Sequence, residues 1–134
     1  MNSVKVDTRK LDLIRKNLPK VILEVEEQIG ADVVAVAKEL APVDEGTLQA
    51  SIYMRTPDEN DRPGVTADSG VFDLPAPKDK LSVVVGPSVG HGVWQELGTS
   101  NMAAQPYLAP AVAKVRANMS KYHKEYGKAL GDGE

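Results

Sequence analysis

Seven apolar residues near the start of the chain recur at intervals that only one backbone conformation can use. Leu18, Ile22, Val25, Ile29, Val33, Val36 and Leu40 are 4, 3, 4, 4, 3 and 4 positions apart. That spacing puts them on one stripe of an α-helix. Lys20, Glu24, Glu27, Asp32 and Lys38 fall off the stripe. Pro19 fits a first helical turn, where a missing N–H costs little. Leu11 and Ile14 continue the spacing upstream, so a shorter helix or turn is expected before Pro19. Pro42 ends the helix, because the residue before a proline is pushed out of the α region. Gly30 weakens its middle slightly. A chain of 134 residues therefore commits much of its apolar surface to one long helix that needs something to lie against.

The partner elements follow. Leu48, Ala50, Ile52 and Met54 alternate with Gln49, Ser51, Tyr53 and Arg55, which predicts a strand. Leu81 to Val85 predicts a second, and its Val83-Val84-Val85 run, apolar on both faces, places it inside a sheet. Leu108, Val112, Val115, Met119, Tyr122 and Tyr126 predict a C-terminal amphipathic helix, with Pro106 and Pro110 in its first turns. Gly127 and Gly131 allow it to fray into a flexible tail over 128–134. The expected fold is α+β: an antiparallel sheet of three to four strands, flanked by the long N-terminal helix and the C-terminal helix. The chain reads as a single domain, 1–134.

Residues 56–80 interrupt this pattern. They hold four of the nine prolines, Pro57, Pro63, Pro75 and Pro77, and six acids. Such composition predicts a long mobile loop, with only Val71 to Leu74 able to make a short strand. It also sets the charge distribution: residues 41–80 are net −4, whereas 1–40 are neutral and 81–134 are net +1.

Several functional classes find little support. A net charge of −3 and 4% aromatic residues give neither a basic field nor a stacking platform for nucleic acid. No apolar run reaches the roughly 20 residues of a membrane span. There is no cysteine, and His91 and His123 lack the spacing of a metal pair. No cofactor is expected. Gly86-Pro87-Ser88-Val89-Gly90, followed by His91, matches the G-x-S-x-G pattern of a serine hydrolase elbow. The chain is short for the parallel sheet that carries such an elbow, so a small hydrolase using Ser88 stands only as an alternative.

Two stretches are more specific. One is Ala41-Pro42-Val43-Asp44-Glu45-Gly46-Thr47-Leu48-Gln49-Ala50-Ser51-Ile52. The other begins at Val84-Val85-Gly86 and passes Trp94-Gln95-Glu96-Leu97-Gly98-Thr99 to Gln105-Pro106-Tyr107-Leu108-Ala109-Pro110-Ala111. Their local roles can be argued directly. Asp44 and Gly46 make a tight turn in which Gly46 takes a positive φ. Gly98 reads as a helix C-cap, with Thr99 or Ser100 bonding locally to turn the chain after it. Gln105 before Pro106 must be extended. Taken together, over residues 10–125, the motifs resemble the head–tail joining, or tail-completion, proteins of long-tailed bacteriophages. His91, Gln95 and Leu97 depart from that pattern, where Tyr, an apolar residue and an aromatic are usual, and Glu45 replaces the common Thr.

The resemblance implies a non-enzymatic structural protein of the virion neck or tail, made in the bacterial cytoplasm. It implies a ring, expected to be hexameric, whose partners are itself and other neck or tail proteins. A head-closure or tail-tube component is the nearest alternative. The expected interface residues are Tyr53, Trp94, Glu96 and Tyr107, with Tyr107 ranked last because it can instead belong to the core.

Overall fold

The computed structural model describes residues 7–42, 46–64 and 70–131. The N-terminal stripe becomes one unbroken helix, α1 (Arg9–Leu40), about 48 Å long at 1.5 Å per residue. Among the described residues no separate element precedes Pro19. That proline sits inside the helix and is exposed, so the carbonyl it leaves unbonded can turn to water. The fully buried line on α1 is Val21, Gly30, Val33 and Ala37, while Ile22, Val25, Ile29 and Val36 are half-buried beside it.

The expected strand over 48–55 is instead a short helix, α2 (Gly46–Ser51), followed by strand β1 (Tyr53–Arg55). Leu48, Ser51 and Ile52 are buried and Ala50 is exposed, which is helical rather than alternating burial. So short a window satisfies both periods, and tertiary packing chose between them. Strand β2 (Val84–Gly86) pairs antiparallel with β1, Tyr53 opposite Gly86 and Arg55 opposite Val84. The sheet has only these two strands among the described residues, so β2 is an edge rather than an interior strand. Leu81 lies outside it. Val71 contributes a single bridge to Val89, and the Phe72 N–H donates to the Ser88 carbonyl at 2.9 Å.

Helix α3 (Gly90–Leu97) follows β2 directly. The expected C-terminal helix is two helices, α4 (Leu108–Ala117) and α5 (Met119–Gly131), separated at Asn118. The Asn118 N–H bonds to Val115 and the Lys121 N–H to Asn118, both i to i−3, which tightens the joint. Asn is a weak helix former, so the break costs little there. The helical path continues through Gly127 to Gly131, into the segment the sequence reads as tail. Val112 is 40% exposed, and Ala111 takes the buried place assigned to it.

The core joins α1 to α4 and α5 on one side and to α2 and the β2–α3 turn on the other. Its members include Val33, Ala37, Leu48, Ile52, Val89 and Tyr107. Gly30 has a packing reason: a Cβ there would collide with the Met54 side chain of β1 and lie 3.2 Å from Val83. Gly46 does not have a positive φ; it opens α2. Asp44, its expected turn partner, lies outside the described residues.

Candidate functional site: the outer face of helix α3

Helix α3 is eight residues long, too short to be stable by its own hydrogen bonds, so its neighbours must hold it. They do so at both ends and underneath. At its start, the Ser88 N–H donates to the Ser51 carbonyl at 3.0 Å, tying the turn to α2. Beneath it, Gly92 has no room for a side chain: a Cβ would meet Pro87 and lie 2.8 Å from Leu48 Cδ1. The Tyr107 hydroxyl donates to the Gly92 carbonyl at 2.8 Å. At its end, Gly98 has φ +78 and its N–H bonds to the Trp94 carbonyl at 2.6 Å. A Cβ on Gly98 would come within 2.9 Å of the Ala104 nitrogen, so glycine is required twice over. Thr99 turns the chain through a bridge with Met102 and accepts the Asn101 N–H at 3.3 Å.

Glu96 makes the longest-range of these ties. Its carboxylate accepts the N–H groups of Tyr107, Leu108 and Ala109 at 2.8, 2.9 and 3.0 Å. These are the orphan donors at the start of α4, and the next residue, Pro110, has no N–H to satisfy. Pro106 lies just outside the helix, before the N-cap residue Tyr107. A carboxylate at a helix N-terminus also meets the positive end of the helix dipole. One side chain on α3 therefore completes α4.

The expected interface residues separate accordingly. Tyr53 is buried; its hydroxyl donates to Asn60 Oδ1 at 2.9 Å and accepts the Leu74 N–H at 3.4 Å. Tyr107 is wholly buried. Glu96 is committed to the α4 cap. None of the three is presented to a partner as an anchor. Trp94 is exposed, at 46%, and Leu97, at 74%, stands three residues on along the same helical face. The Trp94 ring meets the His91 ring edge-on at 6.4 Å between centroids. His91, Trp94 and Leu97 thus form the outer stripe of α3, with Gly92 and Gln95 facing inward. The i, i+3 relation of Leu97 to Trp94 is plain in the sequence, but in so short a helix the spacing does not say which face its neighbours leave uncovered.

The inner side is polar but enclosed. The Ser88 side chain is 1% exposed and its hydroxyl makes no hydrogen bond among the described residues. An elbow nucleophile needs an exposed hydroxyl bonded to its base. Gln95 Nε2 lies 3.1 Å from His91 Nε2. Among the described residues no three His, Cys, Asp or Glu side chains converge as metal ligands would, and no helix is long and apolar enough to cross a membrane. No protein-family model, curated protein or solved structure matches the chain.

Proposed function

We propose that this chain is a non-enzymatic structural protein of a tailed phage or prophage, assembling as a ring that joins head to tail or completes the head-proximal end of the tail. The reading rests on the ordered motifs at 41–52 and 84–111. One observation supports it most: the motif residues Glu96, Gly98 and Tyr107 tie α3 to its neighbours, and they leave Trp94 and Leu97 uncovered. Paired exposed apolar side chains on a fixed helix are the anatomy of a docking anchor, because little side-chain or backbone freedom is lost on binding. Its partners on this reading are further copies of the chain and neighbouring neck or tail proteins, and its place is the virion.

The test is a Trp94→Asp/Leu97→Asp variant expressed in place of the wild type during phage production. Its circular dichroism and melting temperature should match the wild type, since both positions are exposed. Electron micrographs should show filled heads and separate tails. Normal virions from this variant would refute the docking role. Loss of infectivity in Ser88→Ala, with the apolar variant fully active, would turn attention to the serine.

A further inference from the structure

Strand β2 has the composition of an interior strand and stands at an edge. Residues 81–86 read Leu-Ser-Val-Val-Val-Gly, with no charge and no proline. Edge strands are ordinarily guarded by such residues, because free N–H and C=O groups template pairing with another chain. β1 is guarded. Its Arg55 donates to the Leu74 carbonyl, and just past its end the Thr56 N–H bonds to the Glu59 carbonyl at 3.0 Å. Pro57 follows. β2 has no such device.

The register shows which of its groups are free. The Ser88 N–H donates to the Ser51 carbonyl, so these two residues form a hydrogen-bonded pair. Bonded and unbonded pairs alternate along an antiparallel ladder. Tyr53 with Gly86 and Arg55 with Val84 are therefore bonded pairs, and Met54 with Val85 is not. The N–H and C=O of Val85 point away from β1, as do those of Val83, where the chain enters the strand. Among the described residues no hydrogen bond outside the β1–β2 pair engages either one. Residues 70–72 bond alongside 88–90 but go no further, since the Leu74 N–H turns to the Tyr53 hydroxyl. Val83, Val84 and Val85 are left half-buried.

We propose that β2 pairs with β2 of a second copy of this chain, antiparallel about a two-fold axis through Val84. Val84 then stands opposite Val84 of the second copy, and Val83 opposite its Val85. This register uses every free group of Val83 and Val85 on both copies. A slip of one residue would present groups already bonded to β1. A slip of two sets Val83 against Pro87, which has no N–H, or Val85 against Leu81, whose N–H is held by Asp79 Oδ1 at 2.8 Å. Side chains agree as well. Val83 and Val85 face α1 and the core, and Val84 shares the Gly86 face on which Leu74 lies. Residues opposite each other in the joined sheet thus meet on a common face, valine against valine. Each α1 spans its own two strands, with Gly30 beside Met54 and Val83. One helix per two strands is a spacing of about 10 Å, at which neighbouring helices pack. The occupant is a second copy because the edge is its own complement in donors, acceptors and apolar surface. The contact uses neither Trp94 nor Leu97 and holds whether or not the chain belongs to a virion.

The test uses the full chain in solution. Native mass spectrometry and sedimentation should show a dimer at about 100 μM. Val84 is the sharpest probe, because this register sets it against itself. Cα atoms of an unbonded pair are about 4.5 Å apart, within reach of a disulfide. The chain has no cysteine, so Val84→Cys should give a cross-linked homodimer on oxidation. Val84→Glu and Val84→Lys each oppose like charges across the axis and should weaken the dimer about tenfold or more. Mixing these two variants, differently tagged, should restore it as a heterodimer; this control separates lost pairing from lost folding. Val84→Cys is a small change at a half-buried site, so its result stands even where a charged variant misfolds. A wild-type monomer at that concentration, no cross-link from Val84→Cys, or no recovery on mixing charged variants that circular dichroism shows to be folded would overturn the proposal.

Discussion

Glu96 closes the N-terminus of a helix to which it does not belong, and that single carboxylate carries much of the local order. Glu96→Ala leaves three N–H donors unsatisfied and removes the charge opposite the α4 dipole. The expected cost is about 1–2 kcal/mol in chemical denaturation. Glu96→Gln keeps one acceptor oxygen and should lose about half as much. The tyrosines give a second residue-scale test. Tyr122 is buried and donates its hydroxyl to the Asp32 carboxylate; burial first, then that carboxylate, pushes its pKa up to about 12. Burial, helped by the Glu96 charge, raises Tyr107 as well. A folded pKa above the unfolded value of about 10 means that the protonated hydroxyl is favoured by folding. The stability it contributes is complete below pH 10 and is lost as pH climbs towards 12. Ultraviolet titration should therefore find Tyr107 and Tyr122 ionising only with alkaline unfolding. In Tyr122→Phe the late step should shrink by one tyrosine.

At the scale of elements, what the sequence revealed depended on the length of the pattern. The stripe of α1 spans many turns, and its helix was legible from Pro19 onward, as was the glycine that ends α3; the ten residues ahead of the proline read as a separate element because a proline usually opens a helix rather than sitting inside one. The six residues of α2 were not, because Leu48, Ala50 and Ile52 fit alternation as well as they fit a helical turn. The break at Asn118 was hidden for the opposite reason: the periodicity of Leu108, Val115, Met119 and Tyr122 runs straight across it. Tyr53 looked like a surface aromatic because its hydroxyl has partners, Asn60 and Leu74, that are distant in sequence. The glycines of α1 and α5 turn this into a measurement. A methyl group placed on Gly127 would have nothing within 4 Å, so Gly127→Ala should raise stability by about 0.5–1 kcal/mol through helix propensity. Gly30→Ala gains the same propensity but must displace Met54, and should lower the melting temperature. Equal effects from the two changes would show that β1 does not press on α1.

For the whole molecule, the segment 56–80 decides how much of the chain is a fixed body. Its described parts, 56–64 and 70–80, contain no helix and no strand, as the prolines imply, yet they are tethered. The Arg55 guanidinium donates to the Leu74 carbonyl at 2.5 Å, Arg62 pairs with Asp73 at 2.7 Å, and Leu74 is buried against Gly86. Hydrogen exchange should therefore be uneven: slow at Phe72 and Leu74, whose N–H groups bond to Ser88 and Tyr53, and fast at the exposed residues between Asp58 and Gly64. Uniform protection equal to that of α1 would contradict the tether picture.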